Sequence, residues 1–138
     1  MRIRIWLLLL CSLVLAGCAS PERRALVKYL HNSETSQNQL FDLQKELVAM
    51  GRLPVLKRAD AVRHWLETLH ARREQFARLE IPPASQKYNA RLLGMFQALE
   101  NYGNETLDKC DLAKLKVYSD QWAEELAGAD KELSKLNV

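Results

Sequence analysis

Apolar residues recur at helical spacing over most of this chain, and polar or proline-containing breaks divide the pattern into four segments. Leu40, Phe41, Leu43, Leu47 and Met50 form one stripe, which predicts a first helix from about 22 to 50. Gly51 follows where a left-handed residue commonly closes a helix, and Pro54 comes shortly after. Ala59, Val62, Leu66, Leu69, Phe76 and Leu79, with Trp65 alongside, predict a second helix over 56–79. Ile81-Pro82-Pro83 is a firm break that opens a third helix with proline in its first turn. Tyr88, Leu92, Met95, Phe96 and Leu99 are its stripe, and Tyr102-Gly103-Asn104 reads as its end. The fourth helix begins within 105–111, with Asn104 as its expected cap. It has the cleanest pattern of all: Leu115, Tyr118, Trp122, Leu126, Ala129, Leu133 and Leu136.

Short connections between helices of this length imply antiparallel neighbours. The expected fold is therefore all-α, an up-down four-helix bundle roughly 30–40 Å long at about 1.5 Å per residue. Composition agrees: after residue 17 the chain holds 19 leucines and 14 alanines but one isoleucine, Ile81. The run Asn32 to Asn38 is uniformly polar. It leaves two readings of residues 18–35 open, either the start of the first helix or part of a tether ahead of the bundle.

The first seventeen residues follow another logic. Met1 to Arg4 is short and positive, Ile5 to Leu15 is apolar apart from Ser12, and Leu15-Ala16-Gly17-Cys18 follows. A positive start, an apolar stretch of about 7–15 residues and a small-residue exit describe a secretory signal peptide. The polar run Ser20 to Arg24 stops the apolar stretch short of the about 20 residues that a membrane span requires.

Leu15-Ala16-Gly17-Cys18 resembles the lipobox of bacterial lipoproteins at all four positions. The resemblance implies a diacylglyceryl group on the Cys18 thiol, cleavage before Cys18, and acylation of the new amino group. It divides the chain into a cleaved signal peptide, 1–17, and a helical periplasmic domain, 18–138. Several acyl chains anchor a protein durably where one holds only marginally. Ala19 stands where an aspartate resembles the inner-membrane retention signal of Gram-negative lipoproteins. For such a source, the resemblance implies the outer membrane, facing the periplasm.

Removing residues 1–17 takes Arg2 and Arg4 away, and 18 basic residues face 17 acidic ones instead of 20 facing 17. The remaining charge is lopsided. Residues 52–91 hold nine basic and four acidic side chains, and 92–138 hold five basic and nine acidic. Either basic and acidic helices lie together and compensate, or the basic segment, with Arg58, Arg63, Arg72 and Arg78, faces anionic lipid headgroups, an envelope polymer or an acidic protein. Nucleic acid is not an expected partner, because the mature chain lacks a strong basic excess.

Catalytic motifs are missing: there is no Gly-x-Ser-x-Gly, no phosphate-binding glycine loop and no His-Glu-x-x-His. Glu67-x-x-His70 is half of a di-iron bundle motif, without a second half. It makes a metal-binding bundle at Glu67 and His70 a remote alternative. Neither an enzyme nor a cofactor is expected. Arg73 lies on the apolar stripe of the second helix, either snorkelling at its edge or paired with a glutamate of another helix. On the lipobox resemblance Cys11 leaves with the signal peptide and Cys18 carries lipid, so Cys110 is a lone thiol, either an intermolecular linker or, as expected of a free cysteine, buried in the interior. Ala90, Gly94 and Ala98 recur every fourth residue and form a smooth ridge that another helix could approach closely.

These readings converge on a non-catalytic, outer-membrane-anchored helical lipoprotein that binds another envelope protein. In general plan it is similar to the small helical lipoproteins that pilot secretins in type II and type III secretion. Helical pilotins of type II systems carry an internal disulfide, which a domain with Cys110 as its free cysteine cannot form.

Overall fold

The computed structural model describes residues 20–136. The expected signal peptide, 1–17, and Cys18 lie outside the described residues. Four helices follow one another: α1 (Pro21–Met50), α2 (Val55–Ala77), α3 (Gln86–Leu107) and α4 (Leu112–Leu133), with a short 3₁₀ turn, Pro83–Ser85, leading into α3. No strand occurs among the described residues. The fold is an all-α four-helix bundle, and cross-helix contacts show that each helix runs antiparallel to the next. Trp65 meets Leu43 near the α1–α2 turn, while Phe76 stacks on Phe96 towards the other end of α2 and α3. Helices α1 and α3 run the same way, and Tyr29 and Gln37 reach Asn89 and Tyr88.

The ends of α1 have local causes. The Ser20 side chain accepts the Arg23 N–H at 3.2 Å, and Pro21 sits where its missing N–H costs nothing. The polar run 32–38 is helical throughout, so the described part of 18–35 is helix from Pro21 onward. Its polarity has a structural use. Ser33 and Ser36 are buried small residues, and Gln37 accepts from the Tyr88 hydroxyl at 3.3 Å. At the far end the expectation for Gly51 fails. Gly51 is right-handed, at φ −57°. The chain leaves α1 through consecutive tight turns, Gly51 to Val48, Arg52 to Ala49 and Leu53 to Met50, and Pro54 ends them.

Helix α3 is the centre of the bundle and is buried on more than one face, through Leu92, Met95, Phe96, Ala98 and Leu99. It also outruns its expected end. Gly103 is inside the helix, and Asn104 caps nothing. The helix continues to Leu107 because Gly103 serves packing: a Cβ there would stand 2.7 Å from Trp65 Cζ3 and 3.0 Å from Leu66. Asp111 is the cap of α4, accepting from the N–H groups of Ala113 and Lys114.

Small residues also set the distance between α3 and α4. A Cβ on Gly94 would meet the Glu125 side chain, and one on Gly128 would meet Arg91. Gly103→Ala therefore presses a methyl group on a buried ring. About 1–3 kcal/mol of overpacking outweighs the gain of about 1 kcal/mol in helix propensity. Gly128→Ala displaces a half-exposed, flexible arginine and keeps most of that gain. Urea unfolding is expected to rank Gly128→Ala at or above the parent and Gly103→Ala below it; the reverse order would contradict this packing.

Among the described residues, every member of the core cluster lies between Tyr29 and Ala129, so the span 20–136 carries a core of its own. No described helix is long and apolar enough to cross a membrane.

Candidate interaction surfaces

The basic segment of the sequence does not make one patch. Five of its nine basic side chains are strung along α2, about 34 Å long at 1.5 Å per residue, with Arg52 and Arg78 beyond its two ends and Lys87 and Arg91 on α3. Arg58, at the start of α2, donates to the Leu53 carbonyl at 2.9 Å, and its Nε is buried without a partner. Arg63 pairs with Asp60 on its own helix, and Arg72 contacts Gln75. Arg73 and Arg91 reach the acidic part of the chain: Arg73 to Glu100 at 2.6 Å and Arg91 to Glu125 at 3.1 Å. Basic and acidic helices therefore lie together at these points. Arg73, at the edge of its stripe, has the inter-helix glutamate partner considered above.

His70 Nε2 lies 3.1 Å from Glu100, so His70 and Arg73 share one carboxylate, while Glu67 turns to His64 at 3.4 Å. The two halves of Glu67-x-x-His70 thus face different neighbours. No group of three or more histidine, cysteine, aspartate or glutamate side chains able to hold a metal occurs among the described residues.

The ridge Ala90-Gly94-Ala98 is used by the chain itself. Ala98 is fully buried and Gly94 is covered by Glu125 of α4, leaving Ala90 exposed. The spacing of small residues correctly marks close helix approach, but the approaching helix is α4. Trp65 and Trp122 are both core. The Trp65 indole N–H donates to the Leu43 carbonyl at 2.9 Å, and Trp122 meets Phe41 edge-on.

Cys110 corrects the expectation of a buried thiol. It is exposed, in the α3–α4 turn, with φ at 53°. The turn demands it: the Cys110 N–H donates to the Glu105 carbonyl at 2.8 Å, and a left-handed residue then redirects the chain. Glu105 is buried and holds the same turn through its side chain, accepting the Asp111 N–H at 3.2 Å and facing Lys114 Nζ at 3.6 Å.

Two surfaces emerge that no sequence stripe marks. All eight large, exposed apolar side chains of the described bundle gather toward its two ends. Val48, Val55, Leu56, Leu112 and Val117 lie at the far end, where α1 and α3 finish and α2 and α4 start, with Leu56 90% and Leu112 79% exposed. Cys110 is among them, beside a cavity of about 170 Å³ that Arg58 and Tyr102 also line. Val27, Ile81 and Leu133 lie toward the near end, where α1 begins. Here the first turns of α1 and the 78–84 loop border an open groove of about 1040 Å³. Periodicity alone cannot place either surface. Leu56 and Leu112 are the second and first residues of their helices, where a stripe has not yet been established, and their place at the same end of the bundle depends on how the helices are arranged.

Compared with known proteins, this chain matches no family model, no curated protein and no solved structure.

Proposed function

We propose that this protein is a non-catalytic lipoprotein, held by acylated Cys18 in the outer membrane and facing the periplasm, that offers the far end of its bundle to another envelope protein. The observation that carries this reading is the group of five exposed aliphatic side chains at that end. Isolated exposed apolar residues are ordinary on a protein surface; five at one end of the bundle, where Arg52, Lys57 and Asp108 are also exposed, suit an interaction site with both apolar and charged contacts. Helix α1 has 30 residues and sets its far end about 45 Å from Pro21, where it starts. A partner beyond the leaflet is then within reach. The pilotin-like plan is compatible with this arrangement, with the contact made by the helix ends.

A photo-crosslinking residue at 56 or 112, introduced into the full chain in native membranes, is expected to yield a discrete protein adduct. The same residue at 124, on the exposed flank of α4, is expected to yield none. Equal labelling from all three positions, or none from 56 and 112, would refute the far-end contact. Cys18→Ser tests the anchor separately: the variant is expected to leave the membrane fraction.

A further inference from the structure

The groove at the near end has a composition that the far end lacks. Its floor is apolar, made by Leu26, Leu79, Ile81 and Pro82. Its rim carries five charges of both signs: Arg23, Lys28 and Arg78 against Glu22 and Glu80. Among the described residues none of these five takes part in an ion pair, although most of the charged side chains farther along α2 and α3 do. The groove exists because Ile81-Pro82-Pro83 cannot continue α2. Pro82 is extended, at φ −61° and ψ 145°, and the chain crosses to α3 without closing against the first turns of α1. Tyr29 bounds its inner side with a hydroxyl already committed to Asn89 at 2.8 Å.

We infer that this groove seats one phospholipid of the anchoring leaflet, whose headgroup carries both a phosphate and a primary ammonium. The inference rests on the reading of Cys18 as the anchor. Cys18 precedes Ser20 by two residues, about 7 Å of extended chain, and α1 enters the groove within its first turn, so that anchor holds the groove against the lipid surface. The charge pattern selects the headgroup. Arg23, Lys28 and Arg78 supply donors for the phosphate, while Glu22 and Glu80 oppose a purely anionic ligand and accept from an ammonium. The apolar floor takes the first part of an acyl chain, and the volume is just above the about 300–1,000 Å³ usual for small-molecule sites.

Ile81 is the one isoleucine after residue 5, which gives a direct readout. In the unlipidated domain 19–138, labelled with ¹³C at the isoleucine δ1 methyl, one resonance reports the groove. Dihexanoyl phosphatidylethanolamine, titrated as a monomer, is expected to shift that resonance saturably. The double variant Lys28→Glu, Arg78→Glu is expected to bind at least tenfold more weakly with its helical circular dichroism unchanged. Dihexanoyl phosphatidylglycerol is expected to bind more weakly than the ethanolamine lipid, and inorganic phosphate to leave the resonance in place. Three results would overturn the inference. No shift with any phospholipid would leave the groove to a polypeptide segment. Equal or tighter binding of the glycerol lipid would reduce it to plain charge attraction. A shift with phosphate alone would make it an anion site. The titration uses no lipidated residue, whereas labelled fatty acid incorporated into the full chain, with Cys18→Ser as the control, tests the anchor, so the two readings fail separately.

Discussion

Trp65→Ala is expected to lower the stability of the bundle by about 3–5 kcal/mol, the usual cost of emptying a buried aromatic site. Trp65 is 2% exposed and joins three helices. Its indole N–H donates to the Leu43 carbonyl on α1, and its six-membered ring fills the space left by Gly103 on α3. Truncation opens a cavity between three helices that cannot collapse cheaply. The missing N–H also withdraws a donor from inside the bundle. Trp122→Ala is the control. Trp122 lies on the cleaner sequence stripe, but at 9% exposure, with Phe41 as its aromatic neighbour and a shallow surface cavity beside it. Water can enter there and its neighbours can relax, so the loss is smaller. Chemical unfolding of the two variants checks the order. A Trp122→Ala cost equal to or above that of Trp65→Ala would show that α4, rather than the α1–α2–α3 junction, dominates the core. For a domain of this size, with typical stability of about 5–15 kcal/mol, the Trp65 loss corresponds to a drop of roughly 10–20 °C in Tm.

Tyr29→Phe is expected to cost about 1–3 kcal/mol at neutral pH, although it removes a single oxygen. The Tyr29 hydroxyl donates to Asn89 Oδ1 at 2.8 Å, and both residues are buried. Phenylalanine keeps the edge-on contact with Tyr88 but strands the amide oxygen without its donor. The same tyrosines make stability depend on alkaline pH. Burial, reinforced by its neighbour Tyr88, raises the Tyr29 phenol well above the usual tyrosine range, and burial also raises that of Tyr88. The folded state thus holds these protons more tightly than the unfolded state. Their contribution is fully present below about pH 10, the ordinary phenol value, and is lost as pH rises beyond it while unfolded chains ionise. Tyr29→Phe is expected to be the less sensitive protein between pH 10 and 12, so that the gap between parent and variant narrows there. A gap that stays constant or widens would contradict the buried, protonated phenol.

Much of the architecture is legible in the sequence. Leu40, Leu43 and Leu47, or Leu92, Phe96 and Leu99, each specify a buried face through local spacing, and the helix spans follow within a few residues. Helix ends were harder to read. Gly51 and Gly103 share a composition signal with left-handed caps, yet one lies in a right-handed turn and the other is a packing notch for Trp65. A glycine reveals only that a side chain is absent, and backbone freedom or close approach can each require that absence. Cys110 shows the converse. A thiol prefers burial on average, but a turn that satisfies the Glu105 carbonyl needed a left-handed residue at that point, and local geometry prevailed over the average.

Charge was the least legible property. The surplus of arginine over 52–91 is open to two readings, compensation by acidic helices or one basic surface, and a helix distributes its side chains around its axis and along its length. Arg73 and Arg91 meet acidic partners on other helices, and Arg58 folds back on its own turn. The groove that does gather unpaired charges takes Arg23 and Lys28 from one part of the chain and Arg78 from another some fifty residues away. Spacings of a few residues suffice for the four helices and the faces they bury, and they carry the resemblance of 15–18 to a lipobox. Which ends meet, which ridge the chain covers with its own α4, and which apolar and charged side chains remain for something else come from the packed bundle. Those depend on contacts between residues far apart in the chain, which no local periodicity encodes.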